Sequence, residues 1–164
     1  MKKYVSQNLV GLLVITVLCS SAYAQNKKDF SPTFPQFEFY KPNGELFTNQ
    51  NLQKGKATIV IFFDPDCDHC QKQASWIAAS PESFKNAQLL WVSTAEANAI
   101  NTFGKTYFPK FPAPVYFVKD KNYKFDSYFG YSVAPTILVY SSTGQLQKSF
   151  KNEVAVAELV KYIK

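Results

Sequence analysis

With 164 residues, 46% of them hydrophobic and 16% aromatic, the chain has enough apolar mass for one core. This excludes disorder of the whole and leaves little room for a second domain. Its formal charge is +6, yet all 18 basic residues are scattered lysines; without arginine, the preferred residue for bidentate phosphate and guanine contacts, nucleic acid is not an expected partner.

Lys2 and Lys3 precede an apolar run from Leu9 to Leu18, and Ala22-Tyr23-Ala24 puts small residues where a signal peptidase acts. Residues 1–24 are therefore predicted to be a signal peptide cleaved before Gln25. The apolar run, roughly 10 residues, is well under the ~20 a spanning helix needs, so no stable membrane insertion is expected after cleavage. A lipid-bearing Cys19 is disfavoured because Leu18 stands where a small residue is wanted. Cleavage would lower the charge to +4 and leave two cysteines, too few for a multi-bridge scaffold.

Residues 25–34 read as a flexible, polar lead-in to a single domain over 35–164. Phe37 to Tyr40 and Leu46 to Asn49 flank the turn-forming Lys41-Pro42-Asn43-Gly44 and predict a β-hairpin at a sheet edge. Ala57 to Phe63 is a continuous β-branched and aromatic run, the pattern of a central strand buried on both faces. Asp64-Pro65-Asp66 breaks it, and Cys67 to about Ala79 has helical composition with Ala74, Ile77 and Ala78 inward. A strand over Leu89 to Ser93 is expected to lie parallel to the first. Thr94 is positioned to cap a helix from about Ala95 to Tyr107. Pro114 to Val118 is a third strand, and Tyr123 to Gly130 a short helix closed by its glycine. Thr136 to Tyr140 and Gln145 to Phe150 flank a Ser-Ser-Thr-Gly turn, and Glu153 to Lys164 reads as a terminal amphipathic helix. Alternating units of this kind predict an α/β sandwich with a mixed sheet.

The chemistry concentrates in Phe62-Phe63-Asp64-Pro65-Asp66-Cys67-Asp68-His69-Cys70, a CxxC placed between a buried strand and a helix start. Unsatisfied N–H groups and the helix dipole there favour a thiolate at Cys67 over its thiol. Cys70, one turn on, shares its face and can attack a mixed disulfide formed at Cys67. A static disulfide across so short a loop would add little stability. A structural zinc site needs four ligands, and His69, the one histidine, lies between the cysteines and cannot easily join them on one ion. As a cation or hydrogen-bond donor His69 would tune the Cys67 thiolate towards stability, whereas Asp64, Asp66 and Asp68 oppose it; Asp66 or Asp68 could equally cap the helix.

On these residues the chain resembles the thioredoxin superfamily, specifically its exported TlpA/ResA-like thiol–disulfide oxidoreductases. The resemblance runs from about Phe34 to Lys164: the N-terminal hairpin, the strand into Cys67-Asp68-His69-Cys70, a mid-chain helix and strand, and Val133-Ala134-Pro135-Thr136 before the strand Ile137 to Tyr140. It implies a thioredoxin-like three-layer sandwich and a cis proline at Pro135, beside which the Ala134 backbone can pair with an extended substrate. It also implies Cys67 as nucleophile and Cys70 as resolving thiol, no bound cofactor, and export, to the periplasm in a Gram-negative source. Partners implied are exported proteins with disulfides or thiols and a membrane electron donor or acceptor.

Three positions depart from the family pattern. Asp66 replaces the usual aromatic before the first cysteine, Ile61 the buried acid of the central strand, and Gln73 the glutamate that assists proton transfer in ResA-like reductases. Proton transfer then falls to Asp64 or His69. The expected function is thiol–disulfide exchange, taken as disulfide reduction, with oxidation or isomerisation of DsbA-like polarity as the alternative because a histidine precedes the second cysteine. A peroxiredoxin would need a threonine and a proline where Asp64 and Val60 stand. A non-catalytic binding module would use the hairpin or the aromatics Tyr107, Phe108, Phe111, Tyr128 and Phe129, which are expected in the core.

Overall fold

The computed structural model describes residues 30–131 and 133–163; the signal peptide expected over residues 1–24, with Cys19, and residues 25–29 of the expected lead-in lie outside them. Strand β3 (Ala57–Phe62) is buried along its whole length. It pairs in parallel with β4 (Ala87–Ser93), Ile59 facing Leu89, and β4 pairs in parallel with β5 (Val115–Lys119). On the other side β6 (Thr136–Tyr140) runs antiparallel to β3, and β7 (Leu146–Phe150) closes that edge. The hairpin of β1 (Glu38–Tyr40) and β2 (Leu46–Thr48) extends the opposite edge, where Tyr40 faces Lys119 of β5. The order across the mixed sheet is β2-β1-β5-β4-β3-β6-β7.

Successive strand residues point to opposite faces, and that alternation divides the core in two. Ile59, Ile61, Leu89, Trp91, Ile137 and Val139 face one layer, completed by Cys70, Ala74 and Ile77 of α1 (Asp68–Ala78), Ile100 and Phe103 of α2 (Ala97–Tyr107), and Leu159 of α4 (Val156–Leu159). Val60, Leu90, Val92, Leu138 and Tyr140 face the other, covered by Phe39 and Phe47 of the hairpin and by Phe125 and Phe129 of α3 (Phe125–Phe129). The result is the three-layer sandwich expected. Of the five aromatics that a binding module might have used, Phe129 is fully buried and the other four pack partly buried against the two clusters.

Several element boundaries differ from expectation, each for a local reason. Thr94 does not cap α2: the Ser93 hydroxyl accepts the Ala95 N–H, and α2 starts at Ala97 after an extended Glu96. The short helix starts at Phe125 instead of Tyr123, because Tyr123 has φ +53°, outside the right-handed helical region. Gly130 closes it in the left-handed conformation, φ +100°. Neither Asp66 nor Asp68 caps α1; its N-cap is Cys67, with no side-chain hydrogen bond. The terminal helix is one α-turn followed by a 3-10 turn over Val160–Tyr162, since the Gln73 side chain takes the Val154 N–H and Ala155, at ψ 140°, is outside the helical region. Residues 30–34, read as lead-in, pack on the domain: the Phe34 N–H donates to Gly144 and its ring meets Tyr140 edge-on at 5.0 Å.

Candidate active site

The site grows out of the C-terminal end of β3. Phe63 continues the parallel ladder by donating its N–H to Val92 at 2.9 Å, and its buried ring packs on Phe103 and Trp91. Proline at 65 cannot continue the ladder, so the chain turns. The Asp64 carboxylate accepts the Asp66 N–H at 2.9 Å and its carbonyl accepts the Cys67 N–H at 3.2 Å. This turn delivers Cys67, half-buried and extended, to the N-cap of α1, the end of a helix whose first N–H groups lack intrahelical partners.

Cys70 is fully buried behind it, and both residues are thiols here. Burial pushes the Cys70 thiol up to about 12; a hydrogen bond from the Asp64 backbone N–H pulls the other way, while the hydrogen bond with Cys67 and the charge of Asp64 add to the rise. The two cysteines are thus unequal, one half-buried and the other fully buried with its thiol pushed up. Asp64 is exposed, and its charge is one of the smaller influences that raise the Cys70 thiol.

His69 is exposed and turns its Nδ1 to the Glu153 carboxylate at 2.9 Å, and Lys72 binds the other oxygen at 3.1 Å. These two hydrogen bonds, the one to His69 foremost, hold Glu153 down at about 2. Glu153 was not singled out from sequence, because it lies 84 positions from His69 and nothing local marks it. Gln73 is also part of the arrangement. Fully buried, its Oε1 accepts the Val154 N–H at 2.7 Å, so it fastens the segment carrying Glu153 to α1, while its Nε2 is without a partner.

The Ala134–Pro135 peptide bond is cis. Pro135 is buried, and Ala134 packs against the same core cluster as Cys67. The Thr136 hydroxyl donates to the Val133 carbonyl at 2.6 Å and holds this turn at the head of β6. The fold therefore gathers Asp64, Cys67, Cys70 and Ala134 at one end of the sheet, with His69 on the outer face of α1. Among the described residues no three His, Cys, Asp or Glu side chains are grouped to hold a metal ion, and no helix is long and apolar enough to cross a membrane.

A model of the AhpC/TSA family matches residues 31–149. The chain belongs to the AhpC/TSA family. No curated protein matches it significantly. Among solved structures, this AhpC/TSA-family chain is similar to a secreted disulfide oxidoreductase of Mycobacterium tuberculosis described as homologous to E. coli DsbE, at 20% identity and TM-score 0.62, over 77% of this chain and 93% of that one. It is similar to Bacillus subtilis StoA, at 19% identity and TM-score 0.57, over 80% and 98%. It is also similar to copper-bound ScoI of Arabidopsis thaliana, at 17% identity and TM-score 0.60, over 80% and 94%. These likenesses establish the thioredoxin-like fold, in agreement with the TlpA/ResA-like resemblance of the sequence.

Proposed function

We propose that this protein is an exported thiol–disulfide oxidoreductase that reduces disulfides in exported proteins. The observation that carries the reading is the asymmetry of the pair: Cys67 half-exposed at the start of α1, Cys70 buried behind it with its thiol at about 12. The Cys67 thiolate attacks one sulfur of a substrate disulfide, forming a mixed disulfide and releasing the other sulfur as a thiolate that takes up a proton. Cys70 loses its proton, with Asp64 as acceptor, and attacks Cys67. The second substrate thiol leaves, and Cys67–Cys70 is oxidised as the substrate gains two electrons. A membrane electron donor would restore the dithiol.

Two features support the reductive direction. Asp64, Asp66 and Asp68 lie exposed along the turn that carries Cys67, so negative charge surrounds the pair. The His69 Nδ1 is engaged by the Glu153 carboxylate at 2.9 Å, so that ring nitrogen is not free to hydrogen-bond the Cys67 sulfur. Export is supported by the predicted signal peptide and by a similar protein described as secreted.

The test is insulin reduction by the wild type and by Cys67→Ser and Cys70→Ser, with equilibration against glutathione. Both variants are expected to be inactive, and Cys70→Ser to trap substrates as mixed disulfides. A potential of about −270 mV or lower supports a reductase, and one near about −120 mV an oxidant. Full cellular function in both variants would overturn the exchange chemistry in favour of a binding module.

A further inference from the structure

A cavity lined by Asp64 and Ala134, two residues of the candidate site, has a character that thiol–disulfide exchange alone does not require. It encloses about 430 Å³ and starts at Asp64, whose carbonyl holds the Cys67 N–H. Phe62, Phe63 and Phe125 give it an apolar wall, and Tyr123 and Val133 also line it. Those two are among the few large apolar side chains exposed in the described residues, at 73% and 53%. The charged residues lining it are Asp64, Asp120 and Asp126, all carboxylates, on a chain that carries 18 lysines. Asp120 is itself buried and accepts the Lys124 and Phe125 N–H groups, which fixes the tight turn that presents Tyr123.

An apolar wall, an exposed aromatic ring and an excess of carboxylates together suit one kind of side chain, a long alkyl stem ending in a cation. We propose that this cavity receives a lysine or arginine adjacent to the substrate cysteine, so that Tyr123 and Asp126 select cationic segments. The inference rests on the exchange chemistry proposed above and adds a substrate preference to it. An acidic segment would meet like charge at Asp64 and Asp126 and be rejected.

The probes are three synthetic peptides identical except for lysine, alanine or glutamate on either side of one cysteine, which is activated as its mixed disulfide with thionitrobenzoate. In Cys70→Ser protein the Cys67 thiolate attacks the peptide sulfur; a Cys67–peptide disulfide forms, the activated disulfide breaks, and thionitrobenzoate leaves as a coloured thiolate. The lysine peptide is expected to react about fivefold faster than the alanine peptide at low ionic strength, the scale of a surface charge interaction, and the glutamate peptide more slowly. The differences are expected to shrink at about 0.5 M salt. Tyr123→Gly and Asp126→Asn, each checked for folding by circular dichroism, are expected to halve the lysine preference or more. Equal rates for all three peptides overturn the cavity assignment while leaving exchange intact. A preference that survives both variants and vanishes in Asp66→Asn overturns it too, because the charge beside Cys67 then explains the result. No release from any peptide overturns the exchange chemistry itself.

Discussion

Alkylation of the reduced protein separates the two cysteines and tests the asymmetry on which the functional reading stands. With its thiol at about 12, Cys70 has a thiolate fraction of about 10⁻⁴ at pH 8, against about 10⁻¹ for an ordinary thiol near 9. Because the thiolate is the reactive species, ionisation alone slows Cys70 by about a thousandfold, and its complete burial adds to this. Iodoacetamide at pH 8, quenched at intervals and mapped by mass spectrometry after digestion, is expected to label Cys67 and spare Cys70. In Cys67→Ser the loss of the neighbouring sulfur removes only a smaller contribution than burial, so Cys70 labelling is expected to climb tenfold per pH unit past 9 without levelling. Equal labelling of both cysteines in the folded wild type, or a plateau near pH 9 in the variant, would refute the reasoning. Stability follows the same sign. The folded thiol holds its proton to higher pH than the unfolded one, so its contribution is complete below about 9 and is lost progressively as the pH rises towards about 12.

Glu153 gives the opposite case: its folded value of about 2 lies below the usual 4.5, so its contribution is present above about 4.5 and disappears as the pH falls through about 2. Acid unfolding of the wild type is expected to be steeper over that window than that of Glu153→Gln, and parallel curves would contradict the His69–Glu153–Lys72 arrangement. Phe63→Ala removes a fully buried ring at the exit of β3 and is expected to cost about 3–5 kcal/mol in urea unfolding; a loss below about 1 kcal/mol would show that the ring is not packed as described. Gly130→Ala places a Cβ at φ +100° and is expected to cost about 1 kcal/mol, with an unchanged urea midpoint counting against the left-handed closure of α3.

Much of this architecture was legible in the residues themselves. The unbroken run Ala57 to Phe63 could only be a strand covered on both faces, and Cys67-Asp68-His69-Cys70 had to follow it at a helix start, because Pro65 ends one element and helical composition opens the next. The cis bond at Pro135 agrees with the family resemblance. The weaker readings failed where a distant partner overrode local preference. Thr94 had capping chemistry, but Ser93 took the exposed N–H; residues 153–155 had helical composition, but the buried Gln73 pulled Val154 out of the helix from 81 positions away.

What the sequence by itself determined is therefore the alternating α/β layering and the place of Cys67-Asp68-His69-Cys70 at a helix start, since both follow from hydrophobic periodicity and from neighbours close along the chain. Only the tertiary structure decided how far Cys70 is buried, that His69 faces Glu153, and that Asp64, Tyr123, Asp126 and Ala134 surround one cavity. Those relations join residues tens of positions apart, and they arise from the stacking of β3, β6 and α3, which no local pattern of residues encodes.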